Sequence, residues 1–94
     1  MKNCLSFDDV LLVPKYSEIL SRKEMSLKSN LSDDVVLEVP IISSPMDTVT
    51  ESNMVIAMSN FGGLGIIHRY NTVLKQSSLV KVSIKSGAKN VGAA

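Results

Sequence analysis

Apolar positions change their rhythm several times along the chain, and each change predicts a different element. Leu5 to Val13 reads Leu-Ser-Phe-Asp-Asp-Val-Leu-Leu-Val, an apolar run broken by two acids and stopped by Pro14. It is too short for an ordinary helix, so it predicts an irregular extended or single-turn segment. In that reading Phe7, Val10 and Leu11 pack against something larger. Lys15 to Glu24 is polar and mixed, which predicts a loop anchored by Ile19 and Leu20.

From Met25 the texture is that of short strands. Ser26 to Ser32 alternates weakly, Asp33-Asp34 punctuates, and Val35-Val-Leu-Glu-Val39 is rich in β-branched residues. Two such runs around a polar pair predict a β-hairpin, although the Asn-Gly or Asp-Gly of the tightest hairpin turns is missing. Pro40 then separates the hairpin from a short strand, Ile41-Ile42-Ser43-Ser44. Thr48-Val-Thr-Glu51 fits a capping box, with a hydroxyl at the N-cap and Glu three residues later. Met54, Val55, Met58 and Phe61 follow at spacings of three and four, the stripe of an amphipathic helix. Gly62-Gly63 ends it, one of them suited to the left-handed position just past a helix.

Leu64-Gly-Ile-Ile-His68 is nearly all apolar, the profile of a strand covered on both faces. Asn71-Thr72 offers another N-cap to a helix that carries Val73, Val80 and Ile84 on one side. Ser77, Ser78 and Ser83 weaken its propensity only slightly. Gly87 closes it, and Asn90-Val-Gly-Ala-Ala94 begins a third strand. Hairpin, strand, helix, strand, helix, strand is an α/β order, and it implies parallel βαβ units. A third strand with no helix behind it is an unfinished unit, so residues 1–94 are expected to form a single incomplete domain. Residues 1–39 would be an N-terminal extension with the hairpin. Residues 40–94 would be the first strands and helices of a larger body, truncated at the third strand.

Composition narrows the classes. Over 94 residues, 45 % are hydrophobic and 10 basic side chains balance 9 acidic ones. The balance argues against nucleic-acid or membrane-surface partners, which select one-sided basic fields. Cys4 is the one cysteine, so an internal disulfide is excluded and a reducing, cytosolic compartment is expected. No activating base stands near Cys4 in sequence, which disfavours a reactive thiol. No apolar run approaches the ~18 residues of a membrane span, and Asp8 and Asp9 interrupt any signal-peptide pattern.

Ligands of parallel α/β folds gather where strands end and helices begin. Those places are Ser43-Ser-Pro-Met-Asp-Thr48 and His68-Arg-Tyr-Asn71. Hydroxyls beside a helix start suit an anionic ligand, while the residues alone favour the plainer role of caps for Ser43, Ser44 and Thr48. His68, the sole histidine, can act as a base or stack on a nucleobase; a hydrogen-bonded structural role is favoured. Asp47 is better explained as a turn cap than as a ligand contact. Gly62-Gly-Leu-Gly65 precedes a strand instead of opening a helix, the wrong context for a dinucleotide fingerprint. One His and one remote Cys make no metal site.

Three blocks together resemble a known family. Leu5-Ser-Phe-Asp-Asp-Val-Leu-Leu-Val-Pro14, Ser43-Ser-Pro-Met-Asp-Thr-Val-Thr-Glu51 and Gly62-Gly-Leu-Gly-Ile-Ile-His68 are similar, in order and near spacing, to N-terminal motifs of the IMP dehydrogenase/GMP reductase family. The resemblance implies the N-terminal part of a (β/α)8 TIM barrel, preceded by an irregular segment and a β-hairpin. It implies binding of a purine nucleoside monophosphate and of NAD or NADP, with Ser44 and Met46 contacting the nucleotide. A hydroxyl that bonds the nucleotide and a thioether against a purine ring agree with that. It also implies a homo-oligomer, a tetramer, and a monovalent cation held by other parts of the full-length protein. The family's catalytic cysteine loop and mobile flap lie downstream; Cys4 does not match them, so no catalytic residue is expected in these 94 residues, and the chain alone is expected to be inactive.

The wording of the Ser44 block resembles the dehydrogenase more closely, which converts IMP, NAD and water to XMP and NADH. Residues 69–90 leave room for one helix but not for the paired CBS domains of many dehydrogenases, a feature shared with the GMP reductases, which convert GMP to IMP with NADPH. A dehydrogenase without CBS domains is therefore the leading expectation. The reductase and a non-catalytic nucleotide-binding half-barrel are the alternatives.

Overall fold

A computed structural model describes residues 2–94. The hairpin forms around Asp33-Asp34: β1 (Ser29–Asn30) pairs antiparallel with β2 (Val36–Leu37), placing Ser29 opposite Leu37 and Asn30 opposite Val36. The loop needs no primed two-residue turn because Leu31 and Ser32 N–H both donate to Val35 O, at 2.8 and 3.3 Å. Pro40 turns the chain out of the hairpin through a three-residue turn in which Ile41 N–H donates to Val39 O at 2.8 Å; proline presets the φ of its central position.

The remainder is a three-stranded parallel sheet in the order β3 (Ile42–Ser43), β4 (Leu64–Ile67), β5 (Val91–Ala93). Ile42 lies opposite Leu64, and Gly65 opposite Val91. Helix α1 (Ser52–Phe61) connects β3 to β4 and α2 (Val73–Lys85) connects β4 to β5. Helix α1 packs on β4 and β3, α2 packs on β5 and β4, and the helices pack on each other, so both cover one face of the sheet. This is the expected order of elements, realised as parallel βαβ units.

The core is Val55 of α1, Ile67 of β4 and Ala88, with Leu79, Val80 and Val91 packed around it. Fully burying a residue such as Val55 or Ile67 contributes about 1.5–3 kcal/mol. Close approach of α1 to the sheet depends on Gly65: a Cβ there would stand 2.7 Å from Val55 Cα. Gly62 ends α1 at φ 96°, in the left-handed region, and its N–H bonds the carbonyls of Met58 and Ser59, as the Gly-Gly pair predicts. Thr72 caps α2, its side chain accepting from Lys75 N–H at 3.2 Å.

Several expectations are corrected. The Thr48–Glu51 capping box does not form. Helix α1 starts at Ser52 with Glu51 at the N-cap and no side-chain cap, because residues 46–50 are spent in a turn where Val49 and Thr50 N–H both donate to Met46 O at 3.0 Å. A box-like pairing occurs instead at Ser6, whose N–H and hydroxyl donate to Asp9 Oδ2 at 2.9 and 3.0 Å, around a single 3-10 turn, Phe7–Asp9.

The stripe predicted for α1 reduces to Val55 as its buried member, while Met54 and Phe61 are exposed. In α2, Val73 is 82 % exposed and Ile84 also faces solvent; the inward face is Leu79, Val80 and fully buried Ser83. Ser83 tolerates burial because its hydroxyl donates to Leu79 O at 2.8 Å, one turn back. Within residues 2–94, Phe7 is 98 % exposed, and Leu11, Ile19 and Leu20 are exposed as well, so this segment does not itself supply the larger surface expected to receive them.

Candidate functional site

Parallel strands end together, so the C-terminal ends of β3 and β4 bring Ser43-Ser44 and His68 to one edge of the sheet, with Ala94 beside them after β5. The loop after β3 holds the residues singled out in the sequence. Ser44 is exposed and Met46 is 53 % exposed. Asp47 Oδ1 accepts from Thr48 N–H at 3.0 Å, the turn-capping role.

The loop is organised by Thr50, a residue that the sequence reading passed over. It is 0 % exposed. Its hydroxyl lies 2.6 Å from Ser44 O and 2.9 Å from Ser43 Oγ. The carbonyl can only accept, so Thr50 Oγ1–H donates to it, and the Ser43 hydroxyl donates to Thr50 Oγ1. Thr50 N–H donates to Met46 O at 3.0 Å, and Thr50 O accepts from His68 N–H at 3.4 Å. One residue thereby ties the end of β3, the loop and the end of β4.

His68 is 2 % exposed. Its Nε2 lies 2.9 Å from Glu51 Oε1, and its Nδ1 accepts from Tyr70 N–H at 3.1 Å. With Nδ1 accepting, the ring proton sits on Nε2 and is donated to the carboxylate. Both nitrogens are thus engaged within the protein, which is the favoured structural role and leaves no free base. Lys75 Nζ is 3.7 Å from the same Glu51 oxygen. The His68 hydrogen bond, and then the Lys75 charge, hold the Glu51 carboxyl below the usual glutamate range. Glu51 therefore exchanges a place in a capping box for two partners across the sheet edge.

Asn71 extends the tie. Its Nδ2 donates to His68 O and to Gln76 Oε1, both at 3.0 Å, while Gln76 Nε2 donates to Ala94 O at 2.8 Å. Asn71 Oδ1 is enclosed and has no hydrogen-bond partner among the described residues. Arg69 stacks over the exposed Tyr70 ring, 5.6 Å from its centroid.

A shallow concavity of about 420 Å³ lies against the loop, lined by Asp47, Thr48, Val49, Glu51, Asn53 and Met54 among others. It takes in the outer side of the loop and neither Ser44 nor Met46, so the structure brings the two predicted contacts together on one loop without enclosing them. Among the described residues, no cluster of His, Cys, Asp and Glu could hold a metal ion, and Cys4 is free and exposed. The glycines at 62–65 do not fit a dinucleotide phosphate: they cap α1 and let it approach the sheet, at the opposite ends of the strands from the loop. No helix is long and apolar enough to cross a membrane among the described residues.

The sequence profile of the IMP dehydrogenase / GMP reductase domain matches residues 4–91. An inosine-5'-monophosphate dehydrogenase of Nitrosopumilus maritimus is 49 % identical over 87 residues, covering 93 % of this chain and 18 % of that protein. One from Staphylococcus aureus is 52 % identical over 80 residues, covering 85 % of this chain and 16 % of that protein. A crystal structure of GMP reductase from Trypanosoma brucei in complex with guanosine 5'-triphosphate superposes with a TM-score of 0.78 at 41 % identity, covering 85 % of this chain and 19 % of that one. The chain thus spans under a fifth of the length of these relatives. A match from Cys4 to Val91, half-identical relatives and a shared backbone course agree: the chain belongs to the IMP dehydrogenase / GMP reductase family.

Proposed function

We propose that this chain is the opening part of a nucleotide-binding (β/α)8 barrel in a purine-nucleotide oxidoreductase, with Ser44 and Met46 contacting a purine nucleoside monophosphate. The observation that carries the reading is the loop after β3, an exposed hydroxyl and an exposed thioether presented at the C-terminal edge of a parallel sheet. That edge is where barrels of this kind do their chemistry. Residues 1–39 are an extension with the hairpin, and residues 40–94 supply three of the eight strands. The remaining units, the reacting cysteine and the NAD or NADP site belong to the rest of the enzyme, a cytosolic homotetramer, as does any monovalent-cation site.

These residues orient and bind. The Ser44 hydroxyl can donate to the nucleotide, and the Met46 sulfur suits the face of a purine ring. The nicotinamide cofactor, when bound elsewhere in the barrel, supplies the hydride acceptor or donor. The reaction favoured is IMP, NAD and water going to XMP and NADH, supported by dehydrogenase relatives at 49–52 % identity. A second reading is reduction of GMP to IMP with NADPH. It is favoured by reductase structures at 40–41 % identity and by a β4–β5 connection that holds α2 alone.

In the complete protein, Ser44→Ala is expected to weaken monophosphate binding by roughly 1–3 kcal/mol. A dissociation constant equal to wild type would remove Ser44 from the site. NADH formation from IMP, against NADPH consumption with GMP, separates the two reactions.

A further inference from the structure

We propose that Thr50 is a positioning residue that holds the Ser44–Met46 loop in its ligand-ready shape, an inference that rests on that loop being the nucleotide contact. The loop has few other constraints. Residues 44–49 are exposed and put no side chain into the core. What defines their path is hydrogen bonding converging on one buried side chain and its backbone.

Every polar group of Thr50 is used. Its hydroxyl donates to Ser44 O at 2.6 Å and accepts from Ser43 Oγ at 2.9 Å. Its N–H holds Met46 O at 3.0 Å, and its carbonyl receives His68 N–H at 3.4 Å. The backbone oxygens of both proposed contact residues are therefore bonded to Thr50, and Thr50 is bonded to the neighbouring strand end. Ser44 O also accepts from Met46 N–H at 2.8 Å, so the hydroxyl braces a turn that already exists. A loop ordered before the ligand arrives loses less conformational freedom on binding, and that difference appears directly in affinity. Valine has threonine's shape without its hydroxyl. Thr50→Val thus keeps the packing, takes the side-chain brace from Ser44 O and leaves the Ser43 hydroxyl without its acceptor.

The test is calorimetric titration of the complete protein with IMP, beside its melting temperature. Thr50→Val is expected to raise the dissociation constant about tenfold, equivalent to ~1.4 kcal/mol. Thr50→Ser, which keeps the hydroxyl, should restore it to near wild type. A purely structural role would lower the melting temperature of Thr50→Val and leave its affinity unchanged, and that result overturns the proposal.

Ser44→Ala in parallel separates the two claims. If its affinity equals wild type, the nucleotide-contact reading fails. If Ser44→Ala weakens binding and Thr50→Val does not, the positioning role alone fails. Should Thr50→Val not fold, hydrogen exchange of the wild type decides. In the absence of IMP the Val49 and Thr50 amides, both bonded to Met46 O, should already exchange slowly, and exchange at both as fast as in an unstructured segment overturns the proposal.

Discussion

Residues 2–28 and residues 40–94 both carry abundant apolar side chains and use them in opposite ways. In the first region Phe7, Leu11, Leu12, Val13, Tyr16 and Leu20 are exposed; in the second, Val55 and Ile67 are sealed and several neighbours pack around them. Hydrogen bonding divides the same way. The side-chain bonds of the extension join residues two or three apart, such as Ser6 to Asp9 and Ser21 to Lys23. Those of the α/β region reach 17 positions from Glu51 to His68, 18 from Gln76 to Ala94 and 30 from Ser59 to Lys89. Apolar content alone does not make a core. It must recur at a period that puts it on one face, and a second face must meet it.

The sharpest way to break this comparison is to remove packing where it is densest. Ile67→Ala in the α/β region is expected to cost about 2–5 kcal/mol, through lost burial and the cavity left behind. The shift of the urea midpoint, read by circular dichroism, checks it; a loss under ~1 kcal/mol would mean that the sheet is not a cohesive unit.

A smaller effect should come from pH, and it contrasts two carboxylates. Glu51 is held below the ordinary glutamate range by His68 and then Lys75, and Asp9 below the aspartate range by the Ser6 backbone and side chain. A depressed carboxyl stabilises the fold above its unfolded-state pKa, and that contribution is lost as pH falls through the lower folded value. Stability should therefore decline below about pH 4.5, the ordinary glutamate value. Glu51→Gln should flatten that decline in melting curves because its partners lie in distant elements, while Asp9→Asn should alter only the local turn. An unchanged slope in Glu51→Gln would detach the His68–Glu51 pair from folding.

The smallest effect belongs to the extension. Leu12→Ser in the 94-residue chain should change stability by no more than about 0.5 kcal/mol, as for other exposed positions. If the melting temperature falls clearly, the extension packs on the sheet in solution and the contrast between the regions narrows.

Much of the fold was legible because it is written in short-range pattern. The Asp33-Asp34 hairpin, the strands around Ile42 and Leu64, the Thr72 cap and the Gly62 and Gly87 helix ends follow from residues within a few positions of one another. The place of the candidate loop was legible, since Ser44 and Met46 follow a strand whose C-terminal end any parallel order puts at one edge of the sheet. The capping box at Thr48 fails because residues 46–50 close a turn onto Met46 O and because His68 and Lys75, brought alongside by β4 and α2, engage Glu51. The inner face of α2 was misread because spacing marks Val73 and Ile84 as equivalent to Val80. Which part of the stripe meets α1 and the sheet depends on where those elements lie.

By itself, the sequence determined which segments become strands and helices, where they stop, and which loop could present a hydroxyl and a thioether together. Periodicity, caps and glycine conformations are local properties, so local pattern suffices for them. Only the tertiary structure decided that Thr50 is the hub of that loop, that Glu51 serves His68, and that Ser83 belongs to the interior. Glu51 meets His68 at 2.9 Å across 17 positions, and Thr50 O receives His68 N–H from the next strand. Ser83 bonds only one turn back and is buried because the other elements lie over it, and contacts that distant leave no trace in the local pattern.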